Sequence, residues 1–214
     1  MTMLTVAISG MPGAGSSTVG KLLAVKLKIN HFSPGQFFKD ISLGKIKNNE
    51  YYNLFKHLCE SNNIEIPEII TNDRARAGVS LWNTEFGKSK KFHEVLDELQ
   101  REIAKKKGVV IDGKLSLRML HDSDLKVWIK ANLQKRAERI TKREGINIED
   151  AKNNIIEREQ REREEWKRIY GFDYFDQEKD ADIIIDSSNM FPKEAVKIIL
   201  GNKIIDEEMK KDKL

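Results

Sequence analysis

Residues Gly10, Met11, Pro12, Gly13, Ala14, Gly15, Ser16, Ser17 and Thr18 form the stretch GMPGAGSST, directly after the apolar run LTVAIS at residues 4–9. Glycines at 10, 13 and 15 admit backbone geometries closed to other residues, so successive amide N–H groups can converge on one anion. A helix opening near Gly15 directs its unpaired N–H groups and partial positive end at the same point. The stretch therefore reads as a cradle for the phosphates of a nucleotide. One part is substituted: the pattern GxxxxGK[ST] has lysine where Ser16 stands, with Ser17 at the metal-ligand position. A serine offers one neutral hydrogen bond in place of a full charge. Binding is expected to survive that change, while phosphoryl transfer needs cations from elsewhere. A glycine turn holding no ligand is the plainer alternative. Three glycines at these offsets, an apolar strand before them and two consecutive hydroxyls after them argue against it.

Further groups suited to phosphate chemistry lie downstream. Asp112 ends the apolar run VVID at the carboxyl edge of a sheet, where ligands of open α/β folds sit; an ordinary capping aspartate is the alternative. Residues 157–168 hold five basic and five acidic side chains, so the stretch has no net attraction for phosphate. At 100° per residue Arg158, Arg161 and Arg168 fall on one side of a helix, and Arg163 and Lys167 on another. Glu157 with Arg161, Glu159 with Arg163 and Glu164 with Arg168 are spaced for i,i+4 pairs of ~0.2–0.5 kcal/mol each, so a purely structural use competes with a catalytic one. His31, His57, His93 and His121 lack metal-ligand spacing and are expected to be ordinary surface or core residues.

The elements that must position these groups follow from an alternation of short apolar runs with helical periodicity, which predicts parallel strands covered by helices. Strands are expected at residues 4–9, 109–112, 125–129 and 183–186, with a weaker one near His31. Helices are expected at residues 16–28, 133–144, 148–169 and 193–200. The 214 residues suffice for one well-buried core, and residues 1–214 are read as a single three-layer α/β domain. Residues 43–107 break the rhythm as a polar, helical insertion that would bind the acceptor, and the tail from Gly201 reads as a solvated or frayed helix. In SSN, Ser187 and Ser188 would either line a loop near the adenine or cap a helix starting near Pro192.

Composition narrows the classes. A net charge of +4, from 38 basic against 34 acidic side chains, suits anionic small substrates and gives no ground for a nucleic-acid partner. A single cysteine, Cys59, rules out an intrachain disulfide and a cysteine zinc cluster, in keeping with a reducing cytoplasm. No run approaches the ~20 apolar residues of a membrane span, and the first residues lack the order of a secretion signal. A monomer in the cytoplasm, without a membrane partner, is expected.

The segments ISGMPGAGSSTVGKLLA, SPGQFFKD, VVIDGKL, DLKVWIKANLQKRAERITKREG and RIYGFDYFDQEKDADIIIDSS, in this order, resemble the archaeal-type branch of the cytidylate kinases. The resemblance implies a P-loop NTPase fold with an acceptor-binding insertion and a lid, here residues 155–178. It implies transfer of the ATP γ-phosphoryl group to CMP or dCMP, giving ADP and CDP or dCDP, with Mg2+ held through Ser17 and Asp112. Gly35, Phe38, Lys39, Gly113 and Lys114 match acceptor-binding positions, and Arg158, Arg161, Arg163 and Lys114 match catalytic ones. Lys39 and Lys114 stand where the family more often has arginine, which keeps the charge and loses the two-pronged grip. Within residues 43–107, Arg74 and Arg76 are candidates for the acceptor's base or sugar, while Trp82 and Phe86 read as core of the insertion. A kinase for AMP, UMP or a nucleoside, a non-catalytic nucleotide binder and an RNA-binding module are the competing expectations. Glutamates interleaved among the basic residues argue against the RNA reading.

Overall fold

A computed structural model describes residues 3–68, 70–73 and 76–211. In chain order it holds β1 (Thr5–Gly10), α1 (Ser16–Leu27) and β2 (Asn30–Phe32). There follow α2 (Pro34–Ser42), α3 (Tyr52–Ser61), α4 (Ala77–Trp82), α5 (Glu85–Lys88) and α6 (Lys90–Lys105). Then come β3 (Val109–Asp112), α7 (Ser116–Met119), β4 (Leu125–Lys130), α8 (Leu133–Glu144), α9 (Ile148–Tyr170), β5 (Ile183–Asp186), α10 (Pro192–Leu200) and α11 (Lys203–Lys211). The chain divides into two compact units, one through Phe32 and again from Lys107, the other Ser33–Lys106.

The first unit is built on five parallel strands in the order β2-β3-β1-β4-β5. Strands covered on both faces read as continuous apolar runs rather than alternating ones, and every residue of β1 and β3 is buried. Val6, Ile8, Val110, Val127 and Ile129 meet Leu23 and Leu27 of α1 and Val196 and Ile199 of α10 in one core. The order puts β1, with the glycine loop at its end, between β3 and β4. Asp112 pairs with Ile8, and Gly10 with Ile129.

Helices α8 and α9 pack through Ala137, Ile140, Ala151 and Ile155. Asn132 and Asn147 cap their N-termini by accepting from the amides of Lys135 and Asp150. Gly145 and Gly171 end them at φ 72° and 79°, a conformation that other residues resist. One expectation fails here: α11 is not a solvated or frayed tail. Ile205 is fully buried in the main core with Met209 packed beside it, an i,i+4 apolar pair hidden among charged neighbours.

The second unit is helical. Its core joins Phe37 of α2 to Phe55 and Cys59 of α3, and α6 adds Phe92, Leu99 and Ile103. Phe38, Trp82, Phe86, Phe92 and His93 form an aromatic cluster with ring centroids 4.1–6.3 Å apart, so Trp82 and Phe86 belong to the packing of this unit. Burial pushes the Cys59 thiol up to about 12, which keeps it protonated and unreactive. Among the described residues no helix is long and apolar enough to cross a membrane.

Candidate nucleotide and metal site

The turn after β1 is held at both ends: Met11 N donates to Ile129 O at 3.1 Å and Ala14 N to Met11 O at 3.1 Å. A Cβ at Gly10 would lie 2.3 Å from Ile129 O, so only glycine fits between β1 and β4 there. Gly13 and Gly15 take φ 79° and 97°, which turns the chain into α1. The first bond of that helix is Val19 N to Gly15 O at 3.0 Å, and no side chain caps its N-terminus. The first-turn amides of α1 are therefore open to an anion, unlike those at the start of α8 and α9.

A loop that offers its amides inward must satisfy its carbonyls on the outside. Helix α8 does this with two arginines. Arg136, almost fully buried, donates to Pro12 O at 3.2 Å, and Arg139 donates to Ala14 O at 3.0 Å and to Ser187 O at 2.5 Å. The Ser187 hydroxyl also donates to Ala14 O at 2.8 Å. Glu159 of α9 holds Arg136 from the other side in an ion pair. Reading the sequence missed both arginines, because charges at i,i+3 on an amphipathic helix look like a solvated face. The sign that one is not solvated is its position: Arg136 adjoins Ala137 and lies four residues before Ile140, on the side of α8 that packs. Ser187 and Ser188 do not cap α10, whose N-cap is Phe191. Ser188 instead bonds Asp186 and accepts from Asn132 N, tying β5 to the start of α8.

Ser17 and Asp112, the two expected metal ligands, lie side by side: the Ser17 hydroxyl donates to Asp112 Oδ1 at 2.5 Å. The other carboxylate oxygen, Oδ2, is 2.5 Å from His31 Nε2. His31 is thus not an isolated histidine, as its lack of metal spacing suggested, but part of this cluster. Two hard oxygens suit Mg2+, which takes one or two protein oxygens and completes its shell with water and phosphates. Among the described residues no group of three His, Cys, Asp or Glu side chains gathers to hold a metal by protein alone. The residues present fit a metal that arrives with a triphosphate.

Beside the loop, Lys114 Nζ lies 3.4 Å from Gly10 O, 3.1 Å from Glu162 and 5.0 Å from the centre of the Tyr174 ring. Glu162 also accepts from Arg158 Nε at 2.7 Å, so one carboxylate of α9 joins two expected cations. Burial pulls the Lys114 ammonium below the ordinary lysine value, with Glu162 opposing the shift. Burial likewise opposes the charge on Glu162, but Lys114 and Arg158 hold its carboxyl below the ordinary carboxylate range. Arg163 turns away to Asp173 at 2.5 Å and over the Phe175 ring, and the exposed Arg161 guanidinium has no partner among the described residues. The expected i,i+4 pairs of this helix give way to other partners: Glu159 goes to Arg136, Arg163 to Asp173 and Arg168 to Glu165. Partners outside the helix draw off Glu159 and Arg163 against a few tenths of a kcal/mol, while Arg168 turns to the i−3 carboxylate of its own helix.

Gly35, Phe38 and Lys39 stand on α2 of the second unit, and Gly113 and Lys114 follow β3 in the first. The Lys39 stem runs along Gly78, where a Cβ would lie 3.5 Å from Lys39 Cε. Arg76 is exposed, 3.9 Å from Asp73, and Arg74 lies outside the described residues.

A parallel sheet of this order, with a glycine loop leading from its central strand into an uncapped helix, defines the three-layer α/β fold of the P-loop kinases. Comparison with known proteins agrees. The sequence profile described as Cytidylate kinase-like family matches residues 5–189. A cytidylate kinase of Pyrococcus horikoshii is 31% identical over 196 residues, covering 92% of this chain and 86% of its own. The chain belongs to the cytidylate kinase-like family. Two solved structures share the fold at low identity. An uncharacterized protein from Eubacterium ventriosum gives a TM-score of 0.61 at 17% identity, over 95% of this chain and 98% of that one. Shikimate kinase from Bacteroides thetaiotaomicron gives 0.50 at 15%, over 92% and 96%.

Proposed function

We propose that this chain is an ATP-dependent kinase that passes the γ-phosphoryl group to CMP or dCMP, giving ADP and CDP or dCDP. The observation that carries the reading is the bare N-terminus of α1 behind its glycine turn, with Ser17 and Asp112 2.5 Å apart beside it, in a chain that matches the family over residues 5–189. Amides of residues 10–18 bind the donor phosphates. Ser17 and Asp112 face the metal; Mg2+, when it enters with ATP, offsets charge on the triphosphate. Lys114, Gly113, Gly35, Phe38 and Lys39 are assigned to the acceptor, and Arg158, Arg161 and Arg163 to charge on the group in transfer. Residues 43–107 serve as the acceptor lobe and 155–178 as the lid of a single kinase domain.

Two polyanions must be brought into line, and their repulsion is the main obstacle, so positioning and neutralisation carry the rate. An ionised acceptor phosphate is already nucleophilic and needs no general base. The enzyme works as a monomer on these two nucleotides, in the cytoplasm, without nucleic acid or membrane. Turnover of CMP, dCMP, UMP and AMP, each with ATP and Mg2+, tests the reading: CMP and dCMP should lead, and a preference for AMP would overturn it. Closure that excludes water further requires ATP hydrolysis without acceptor to run far below transfer.

A further inference from the structure

His31 lies on β2 opposite Val110 of β3. Side chains along a strand alternate, so His31 shares a face with Asp112, its diagonal neighbour two residues beyond Val110. The histidine is about one-sixth exposed and the aspartate almost fully buried. An ionised carboxylate only accepts, so the contact of 2.5 Å from Nε2 to Oδ2 makes Nε2 the protonated ring nitrogen. A third element converges on this pair. Gly20, in the interior of α1, faces it: a Cβ there would lie 3.3 Å from Asp112 Cβ and 3.4 Å from His31 Nε2. Glycine is unfavourable inside a helix, and here its missing side chain makes room for the contact.

The hydrogen-bond inventory gives the contact a purpose. Ser17 has one hydroxyl proton, and it goes to Asp112 Oδ1, which leaves the serine's lone pairs for a cation. A serine drawn toward a metal gives a poor anchor for the carboxylate behind it. His31 approaches the other oxygen from a strand of the sheet and takes no part in the serine's movement.

We propose that His31 is a positioning residue for the metal site: it fixes the orientation of Asp112 from the sheet side, with Gly20 reserving the space, so that Ser17 and Asp112 meet Mg2+ and ATP already aligned. The proposal rests on the reading of Ser17 and Asp112 as the metal-facing pair. Partners that orient a metal-facing group commonly carry 10- to 100-fold in metal affinity.

The test compares the full chain with His31→Phe, His31→Gln, Gly20→Ala and Asp112→Asn. Calorimetry measures ATP binding as Mg2+ is varied, and turnover is followed over the same metal range. His31→Phe should raise the Mg2+ concentration for half-saturation of ATP binding about tenfold. It should leave metal-free ATP binding unchanged and kcat at saturating Mg2+ within about threefold. His31→Gln, which restores an N–H donor, should recover most of the loss, and Gly20→Ala should reproduce it from the helix side, also if His31→Phe fails to fold. An unchanged Mg2+ dependence in His31→Phe, or no recovery with glutamine, overturns the role of His31 while Asp112→Asn still weakens metal dependence. If the native chain binds ATP identically with and without Mg2+, or Asp112→Asn has no effect, the metal reading itself falls and takes this role with it.

Discussion

On the proposed function, the start of α1 and the middle of α9 would meet phosphate charge by different means. The first presents main-chain amides with no cationic side chain of its own, and its shape is enforced from behind by Arg136, Arg139 and Ser187 on the loop carbonyls. The second presents long cationic side chains, of which Arg158 and Arg163 already have carboxylate partners and Arg161 has none among the described residues. Fixed dipoles need no reorganisation when an anion arrives, so they suit binding. Paired charges exchange one anion for another, which suits a group that becomes more negative only during transfer. The loop without its lysine is on this view a binding device, and transfer depends on α9 and Lys114.

The sharpest way to break this division is Arg158→Ala. Turnover should fall about 100- to 1,000-fold, toward the lower range for an arginine on a transferring phosphoryl group, while ATP affinity by calorimetry stays within about threefold. A loss of only a fewfold would make Arg158 no more than the exposed partner of Glu162. Next in size is Arg139→Ala, which strips a charged donor from Ala14 O and Ser187 O. Such bonds are worth roughly 1.5–3 kcal/mol, so ATP should bind about 10- to 100-fold more weakly, with kcat at saturating ATP little altered. Equal losses in both quantities would put this residue on the transfer side of the comparison.

Ser16→Lys supplies the side chain that the loop lacks. If the cationic inventory is already complete, turnover should remain within about threefold of the native rate, and a gain of 100-fold would show that it was not. The smallest effect at neutral pH is expected from Lys114→Arg, whose value lies in its pH profile. Burial lowers the Lys114 value, and the role proposed for it needs the charged form. The native rate should therefore decline as pH rises through a value below the ordinary ~10.4 of lysine. Arginine stays charged, so the substitution should carry that decline to higher pH. An unmoved alkaline limb would assign it to another group.

Much of this was legible in the sequence. The strands at residues 109–112 and 183–186 and the helix at residues 133–144 match β3, β5 and α8 end to end: both strands are short apolar runs closed by an aspartate, though only β3 is buried throughout, and the helix carries its own start and stop residues, Asn132 and Gly145. Strand β2 was faint because three edge residues carry little pattern. His31, Arg136, Arg139 and Glu162 were passed over for one reason: each acquires its role from a partner more than forty residues away, at a separation no local periodicity encodes.

By itself the chain determined where phosphate could sit, since glycines at 10, 13 and 15 and a strand-to-helix turn are local backbone properties. It also determined the order of strands and helices, which follows from apolar spacing. Tertiary structure alone decided which charges serve that loop, because a charged side chain takes the best partner within reach, and reach is set by strand register and helix packing. Register brings His31 onto the face of Asp112, and packing brings Arg136 to Pro12 and Glu162 to Lys114.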